Sequence, residues 1–516
     1  MEDRRPPLTR SLVLVIVIGA ILLTSLKIIS YGFMPSDDAL RHAAKAVTQK
    51  SWPEIVVMRP LVFDDQHAGW HSFLGAVYQA TGCTKEDLVV LSVVLLATLF
   101  LVAPIPWLRR PEIWPLVWVY VAIAADPFVV GRIFLGRPFI FTMAVVLTLC
   151  LVWPRLKSER LPVGTLVLLL VAVALCTWFH GMPHLFLIPL LAFALAREWL
   201  AALRLAVVLV LGILLGASLT GHPILLIWEA WLHSQRAFLD SPLQHMLVTE
   251  FQSYAGEGTL PLAILLVLLW RWARGEWDSQ KIVRDPVFIL MSLGWLLGFT
   301  VMRFWTDWGL VAALAWCARE LDEVAQRKLP IFSNKRLAVA LVGGGFLFVN
   351  LTSDIGGRWT RSLTRPRLSQ ENPNLREMLP EPGGIVYSDV SQVFYNTFFD
   401  NPHGQWRYIM GFEPTLMPED DLKILRGIQW NWYADEAFAP WVAKMRPADR
   451  MILFRNGRPG IQGLEWASPI RGIWVGRLPR KPAETEVISQ TDDGQQRSSI
   501  NNQLSGRMRA LEPSDR

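Results

Sequence analysis

The sequence predicts a polytopic α-helical membrane protein of about eleven transmembrane helices, followed by a small extracytoplasmic α/β domain at the C-terminal end. Of its 516 residues, 52% are hydrophobic and only 18% charged. Apolar runs recur over residues 1–351, each near the ~20 residues that carry a helix across ~30 Å of hydrocarbon. Between the runs, Lys and Arg sort into alternate loops.

The first run follows Arg4, Arg5 and Arg10 at once. A basic start before an apolar stretch resembles a signal peptide, but the run is long and no A-x-A-like cleavage site follows, so it reads as an uncleaved first span. The predicted spans are 12–30, 87–105, 113–130, 138–153, 162–179, 183–196, 205–220, 259–271, 286–302, 307–318 and 337–351. One set of loops holds Arg109-Arg110; Arg155, Lys157 and Arg160; Arg197 and Arg204; Arg271, Arg274, Lys281 and Arg284; and Arg327, Lys328, Lys335 and Arg336. With the N-terminus these form the cytoplasmic side, and an odd number of spans leaves everything after about 352 outside. The expected setting is a bacterial inner (plasma) membrane, with the C-terminal domain in the periplasm.

The external side receives segment 31–86, short turns near 131–137, 180–184 and 303–306, and the long segment 221–258. In the first, Leu40, Ala43, Ala44 and Val47 share one helical face, which predicts a helix lying near the membrane surface. Pro223–Met246 is similar, with Glu229, His233, Arg236 and Asp240 as a polar stripe; a solvated interfacial helix explains that stripe. After Asn350, strands are expected at Ile385–Tyr387, Trp406–Met410 and Met451–Phe454. Helices are expected at Val390–Phe399, Glu419–Arg426 and Asp435–Met445, which makes a small α/β domain over 352–480. The polar stretch 481–516 buries too little apolar surface to fold and is predicted to be disordered.

Several function classes are excluded by what is missing. The formal charge of +6 belongs to the loops, and no basic helix interleaved with aromatics points to nucleic acid. Cys83, Cys150, Cys176 and Cys317 show no metal or disulfide spacing. There is no nucleotide-binding glycine loop, and Gly343-Gly344-Gly345 sits inside a span, where small residues serve helix packing. No G-x-S-x-G elbow occurs. A donor that already resides in the membrane therefore fits better than a soluble nucleotide. The 24 Trp suit the headgroup boundary.

The ionisable residues near the spans gather at external ends. Ser36-Asp37-Asp38-Ala39-Leu40-Arg41-His42 opens the first loop. Helix capping by Ser36, with aspartates favouring the helix dipole, explains it without any function. The functional reading makes Asp37 or Asp38 the catalytic base, the other its orienter or a cation ligand. Arg41 and His42 follow one turn on as substrate contacts. Arg132 and Arg137 either snorkel to headgroups or clamp a phosphate through forked donors. Asp126, His180, His184, His222, Arg303 and Asp307 also sit at external span ends; His180 and Arg303 are taken as further substrate contacts. In Asp64-Asp65-Gln66-His67-Ala68-Gly69-Trp70-His71, Asp65 and His67 suit Mg²⁺ or Mn²⁺, and an ordinary polar loop is the plain alternative. The span interiors carry almost no charge, which disfavours a transporter.

This pattern resembles the GT-C superfamily of membrane glycosyltransferases, which includes protein O-mannosyltransferases, the lipid A aminoarabinose transferase and oligosaccharyltransferases. The resemblance rests on a first span, an external loop opening with Asp37-Asp38, surface helices in that loop, many further spans and an external α/β domain. Asp37-Asp38-Ala39-Leu40-Arg41 is similar to the Asp-Glu-x-Arg-type loop of the first two groups, with Arg41 one residue later. Trp430-Asn431-Trp432-Tyr433-Ala434-Asp435 departs from the oligosaccharyltransferase W-W-D-x-G, which argues against that group. The resemblance implies a polyprenyl-phosphate sugar donor, an inverting transfer and an acidic base in the first loop. The rival reading is a non-catalytic membrane component that binds or positions envelope polymers.

Overall fold

A computed structural model describes residues 8–35, 37–60, 65–124, 131–239, 251–253, 259–275, 278–329, 334–364 and 367–479. Ser36, Asp64, Asp126, Asp240, Met246 and the stretch 481–516, all singled out by the sequence, lie outside the described residues, as do the side chains of His233 and Arg236.

Six described helices are long and apolar enough to cross a membrane: Thr9–Ser30, Lys85–Trp107, Phe139–Leu156, Val163–His180, Trp199–Ser218 and Asn334–Thr352. Pro183–Leu195, Leu260–Ala273 and Pro286–Gly298 match expected spans in place but are only 10–17 residues long. The expectation of about eleven spans therefore exceeds the full-length apolar helices among the described residues. A hydropathy run reports apolar composition but not where the backbone breaks. The run near 183 begins at Gly181-Met182-Pro183, where Gly181 has φ +64° and a 3₁₀ turn follows.

The bundle packs through small residues. Gly212 and Gly216 of Trp199–Ser218 lie where a Cβ would overlap Val173 and the Ala174 carbonyl of Val163–His180, so the two helices approach at backbone distance. Val207, Leu211 and Val171 stay exposed on the outer faces, as lipid contact requires. At the end carrying the basic loops, charges are paired. Arg336 is buried in a two-pronged bridge to Glu112 at 2.5 and 2.9 Å, so it is a structural strut rather than a loop charge. Arg319 pairs with Asp285 at 3.1 Å.

The segment after the first apolar helix folds as helices Asp38–Thr48, Trp52–Ile55 and Ala68–Thr81. The expected apolar face, Leu40, Ala43 and Ala44, is buried. The opposite face is not solvated, however: Arg41 and His42 are buried too, because the helix is covered by Ala68–Thr81, Lys85–Val102 and the C-terminal helix Ser391–Asp400. The expected surface helix is thus an interior one, since a tertiary cover cannot be read from helical periodicity.

The C-terminal strands are β1 (Ile385–Tyr387), β2 (Arg407–Tyr408), β3 (Arg450–Phe454), β4 (Glu465–Ile470) and β5 (Ile473–Arg477). They form one sheet in the order β2-β1-β3-β5-β4. β1 runs parallel to β2 and β3, and β5 is antiparallel to β3 and β4. The three predicted strands and three predicted helical stretches are all present; the β4–β5 hairpin is additional. Tyr387, Met451, Leu453, Phe438 and Trp441 share its core. The free edge of β2 takes up the first loop, where Val57 N–H donates to the Tyr408 carbonyl; Arg59 N–H donates to the Leu416 carbonyl in the turn after the strand, each at 2.9 Å. Described helices and sheet belong to one compact unit ending at Leu478.

Candidate functional site

The start of helix Asp38–Thr48 builds the centre of the site. Asp37 occupies the N-cap position, but its carboxylate makes no capping bond. It accepts instead from Arg137 Nη2 at 2.9 Å. Asp38 accepts from Arg41 Nε at 2.6 Å, one helical turn on, and lies 3.6 Å from Arg137 Nε. Arg41 stacks on the Phe412 ring at 4.0 Å, so a residue of the C-terminal part closes over it. Burial alone would push the Asp38 carboxyl up, but the Arg41 and Arg137 guanidiniums outweigh it and hold that carboxyl well below the usual carboxylate range.

Arg132 and Arg137 are buried, 1% and 8% exposed, and both face carboxylates. Neither snorkels. Arg132 grips Asp307 with two bonds at 2.8 and 3.1 Å. Asp307 was expected beside a short turn near 303–306. The chain there is a π-helix, Phe304–Gly309, running directly into Leu310–Lys328. π-bulges re-aim side chains and occur often at functional sites; this one points Asp307 back at Arg132.

Beside this pair lies a cavity of about 40 Å³ lined by Phe139, Thr142, His180, Arg303, Asp307 and Trp308, among others. Arg303 stands over Phe251 at 4.5 Å. His180 is within electrostatic reach of Arg303, Asp38 and Arg132. Residues from distant stretches therefore meet at one end of the bundle. His184 turns to Trp231, ring centroids 6.3 Å apart, and His222 is exposed.

His42 and the Asp65–His71 segment form a second layer. His42 Nδ1 lies 2.7 Å from His71 Nε2, and His71 Nδ1 bonds the Asp65 carboxylate. His67 sits over His42, ring centroids 4.8 Å apart, and 6.0 Å from His180. Gly181, at φ +64°, passes so close to the Gln66 carbonyl that only glycine fits, which seats His67 against His180. Burial, and then Arg41, hold the His42 and His67 imidazoles well below the ordinary histidine value. Burial also lowers His71, against the pull of Asp65.

One oxygen of Asp65 takes His71 and the other the His67 amide at 3.1 Å. Among the described residues, no group of three or more His, Cys, Asp or Glu is placed to hold a metal ion. The expected cation pair, Asp65 and His67, gains no third ligand there. Asp307 carries a sequence signal only as an ionisable residue at a span end; Thr142, Phe412 and the partnership of His71 with His42 are not among the sequence expectations. Of these last, only the polar His67-x-x-x-His71 spacing carried a signal; the others depend on tertiary contact.

No family model matches the chain, and no curated protein matches it. Among solved structures, it is similar to the crystal structure of the Archaeoglobus fulgidus oligosaccharyltransferase tethered with an acceptor peptide containing the NVT sequon. That likeness has a TM-score of 0.46 at 10% identity and covers 84% of this chain and 68% of that one.

Proposed function

We propose that the protein is a membrane glycosyltransferase of the GT-C kind, moving a sugar from a polyprenyl-phosphate donor to an acceptor at the external face. The reading includes about eleven crossings, a cytoplasmic N-terminus and a periplasmic site in a bacterial inner membrane. One observation carries it. Arg41 is 3% exposed, and its Nη1 has no hydrogen-bond partner among the described residues, while its Nε is tied to Asp38. A buried guanidinium nitrogen without an acceptor is costly. An anionic oxygen, such as that of a lipid-linked phosphate, relieves it by a charge-assisted bond.

In this reading Arg41, Arg137 and Arg303 hold the donor phosphate. Asp37 and Asp38, expected from the sequence as base and orienter, accept the hydrogen bond of the acceptor hydroxyl, which attacks the anomeric carbon from the face opposite the phosphate and releases its proton. The acceptor oxygen–carbon bond forms, the carbon–phosphate oxygen bond breaks, and polyprenyl phosphate leaves. In this reading Asp65 and His67 handle protons, and Mg²⁺ or Mn²⁺ at that pair is the alternative.

The test is transfer from a panel of undecaprenyl-phosphate hexoses by the full chain in lipid vesicles. Asp38→Asn, which keeps the shape and removes the charge, is expected to lower transfer at least ~100-fold with the protein still folded. Wild-type rates in Asp38→Asn, or no transfer by the wild type from any hexose, would remove the proposal.

A further inference from the structure

A proton must leave the acceptor hydroxyl, and Asp38 is already bonded to Arg41 at 2.6 Å and lies 3.6 Å from Arg137. The histidines offer a route. Their hydrogen bonds fix the protons by elimination. Asp65, ionised, only accepts, so His71 Nδ1 is the donor in that bond. A neutral His71 then presents a lone pair at Nε2, so His42 donates to it from Nδ1. A neutral His42 is left with a lone pair at Nε2. That atom is buried and has no hydrogen-bond partner among the described residues, and His42 itself is 0% exposed.

From there the imidazoles continue toward the cavity. His67 lies 4.8 Å from His42 and 6.0 Å from His180, centroid to centroid. His180 lines the cavity with Arg303 and Asp307. At the far end the Asp65 side chain is 19% exposed, so the line runs from a cavity wall to solvent. Arg41, Lys45, Arg137 and Asp38 flank it, and the Tyr395 hydroxyl faces Asp38 and Arg41 from the C-terminal helix.

We propose that His180, His67, His42, His71 and Asp65 form the proton exit of the transfer reaction, with His42 as its central relay, set in the tautomer that bares Nε2 by His71 and Asp65. The inference rests on the transferase reading. A ring nitrogen of His180 takes the hydroxyl proton as the new glycosidic bond forms. Each neutral imidazole accepts on its bare nitrogen and releases from the other, directly from His42 to His71 and on to Asp65, and through one bridging water between the rings of His180, His67 and His42. His71 Nδ1 hands a proton to Asp65, which gives it to water. One proton enters and one leaves, and ring rotation resets the tautomers. His42, His67, His71 and Asp65 are positioning and relay residues; only His180 lines the cavity.

Two measurements on the full chain in nanodiscs test this. Ring ¹⁵N NMR is expected to find wild-type His42 neutral at pH 7 with its proton on Nδ1. Asp65→Asn is expected to mix that tautomer and Asp38→Asn to leave it alone. His42 charged, or protonated on Nε2, overturns the relay whatever the reaction. In the transfer assay with undecaprenyl-phosphate hexoses, His42→Gln and His71→Gln are expected to lower kcat about 100-fold, with donor KM within about threefold. Wild-type kcat in both, while Asp38→Asn is inactive, overturns the relay and leaves the transferase reading standing. Absence of transfer by the wild type overturns the transferase reading, and the tautomer result still judges the histidine arrangement.

Discussion

Arg132 and Asp307 are joined by two parallel hydrogen bonds at 2.8 and 3.1 Å, although 175 residues separate them in the chain. The pair ties the stretch before helix Phe139–Leu156 to the π-helix Phe304–Gly309, whose Asp307 lines the cavity. Removing one partner strands a buried charge. Arg132→Ala is expected to cost about 3 kcal/mol, seen as a lower unfolding midpoint in detergent. The double variant Arg132→Met/Asp307→Leu is expected to recover most of that stability, because no charge is left alone. A double variant no more stable than the single one would show that the pair is not the source of the loss.

The histidine layer makes stability depend on pH in a direction the burial dictates. His42, His67 and His71 all have folded pKa values below the ordinary histidine value. An unfolded chain therefore binds protons that the folded one refuses once the pH drops below about 6.5. The stability is fully present above that pH and is lost as the pH falls. The unfolding midpoint is expected to decline between about pH 7 and pH 5 and to decline less in the triple His→Gln variant. A triple variant with the wild-type slope would assign the dependence to other groups.

Gly181 holds the turn after helix Val163–His180 against the loop at Gln66. Gly181→Ala places a Cβ onto the Gln66 carbonyl at a backbone angle, φ +64°, that alanine resists. Transfer is expected to fall while the far end of the bundle is unaffected. Hydrogen exchange should quicken at residues 66–71 and not at Arg336 and Glu112. Unchanged exchange at 66–71 would refute the close-approach role.

The seam between the first loop and the sheet depends on Val57. Its N–H donates to the Tyr408 carbonyl at 2.9 Å. Val57→Pro removes that donor, at a cost of about 1 kcal/mol. Limited proteolysis should then cut near residues 57–60 faster than in Val57→Ala, which keeps the N–H. Equal cutting in the two variants would show that the edge bond does not hold the loop.

The sequence alone determined the membrane class, because apolar runs and loop charge are properties of composition along the chain. It also determined most of the C-terminal elements, where period-2 and period-3.6 patterns are local, and it singled out Asp37, Asp38, Arg41, Arg132, Arg137, His180 and Arg303 as ionisable residues at span ends. What only the tertiary structure decided is who meets whom. It turned the surface helix Asp38–Thr48 into a buried one, gave Asp37 to Arg137, and gave Arg132 to Asp307. It also brought His42 and His71 within hydrogen-bond distance of each other. The physical reason is range. Periodicity records which face of a segment is apolar, whereas a buried ion pair or imidazole chain is selected by partners tens to hundreds of residues away, and their desolvation is settled only when the helices and the sheet close over them.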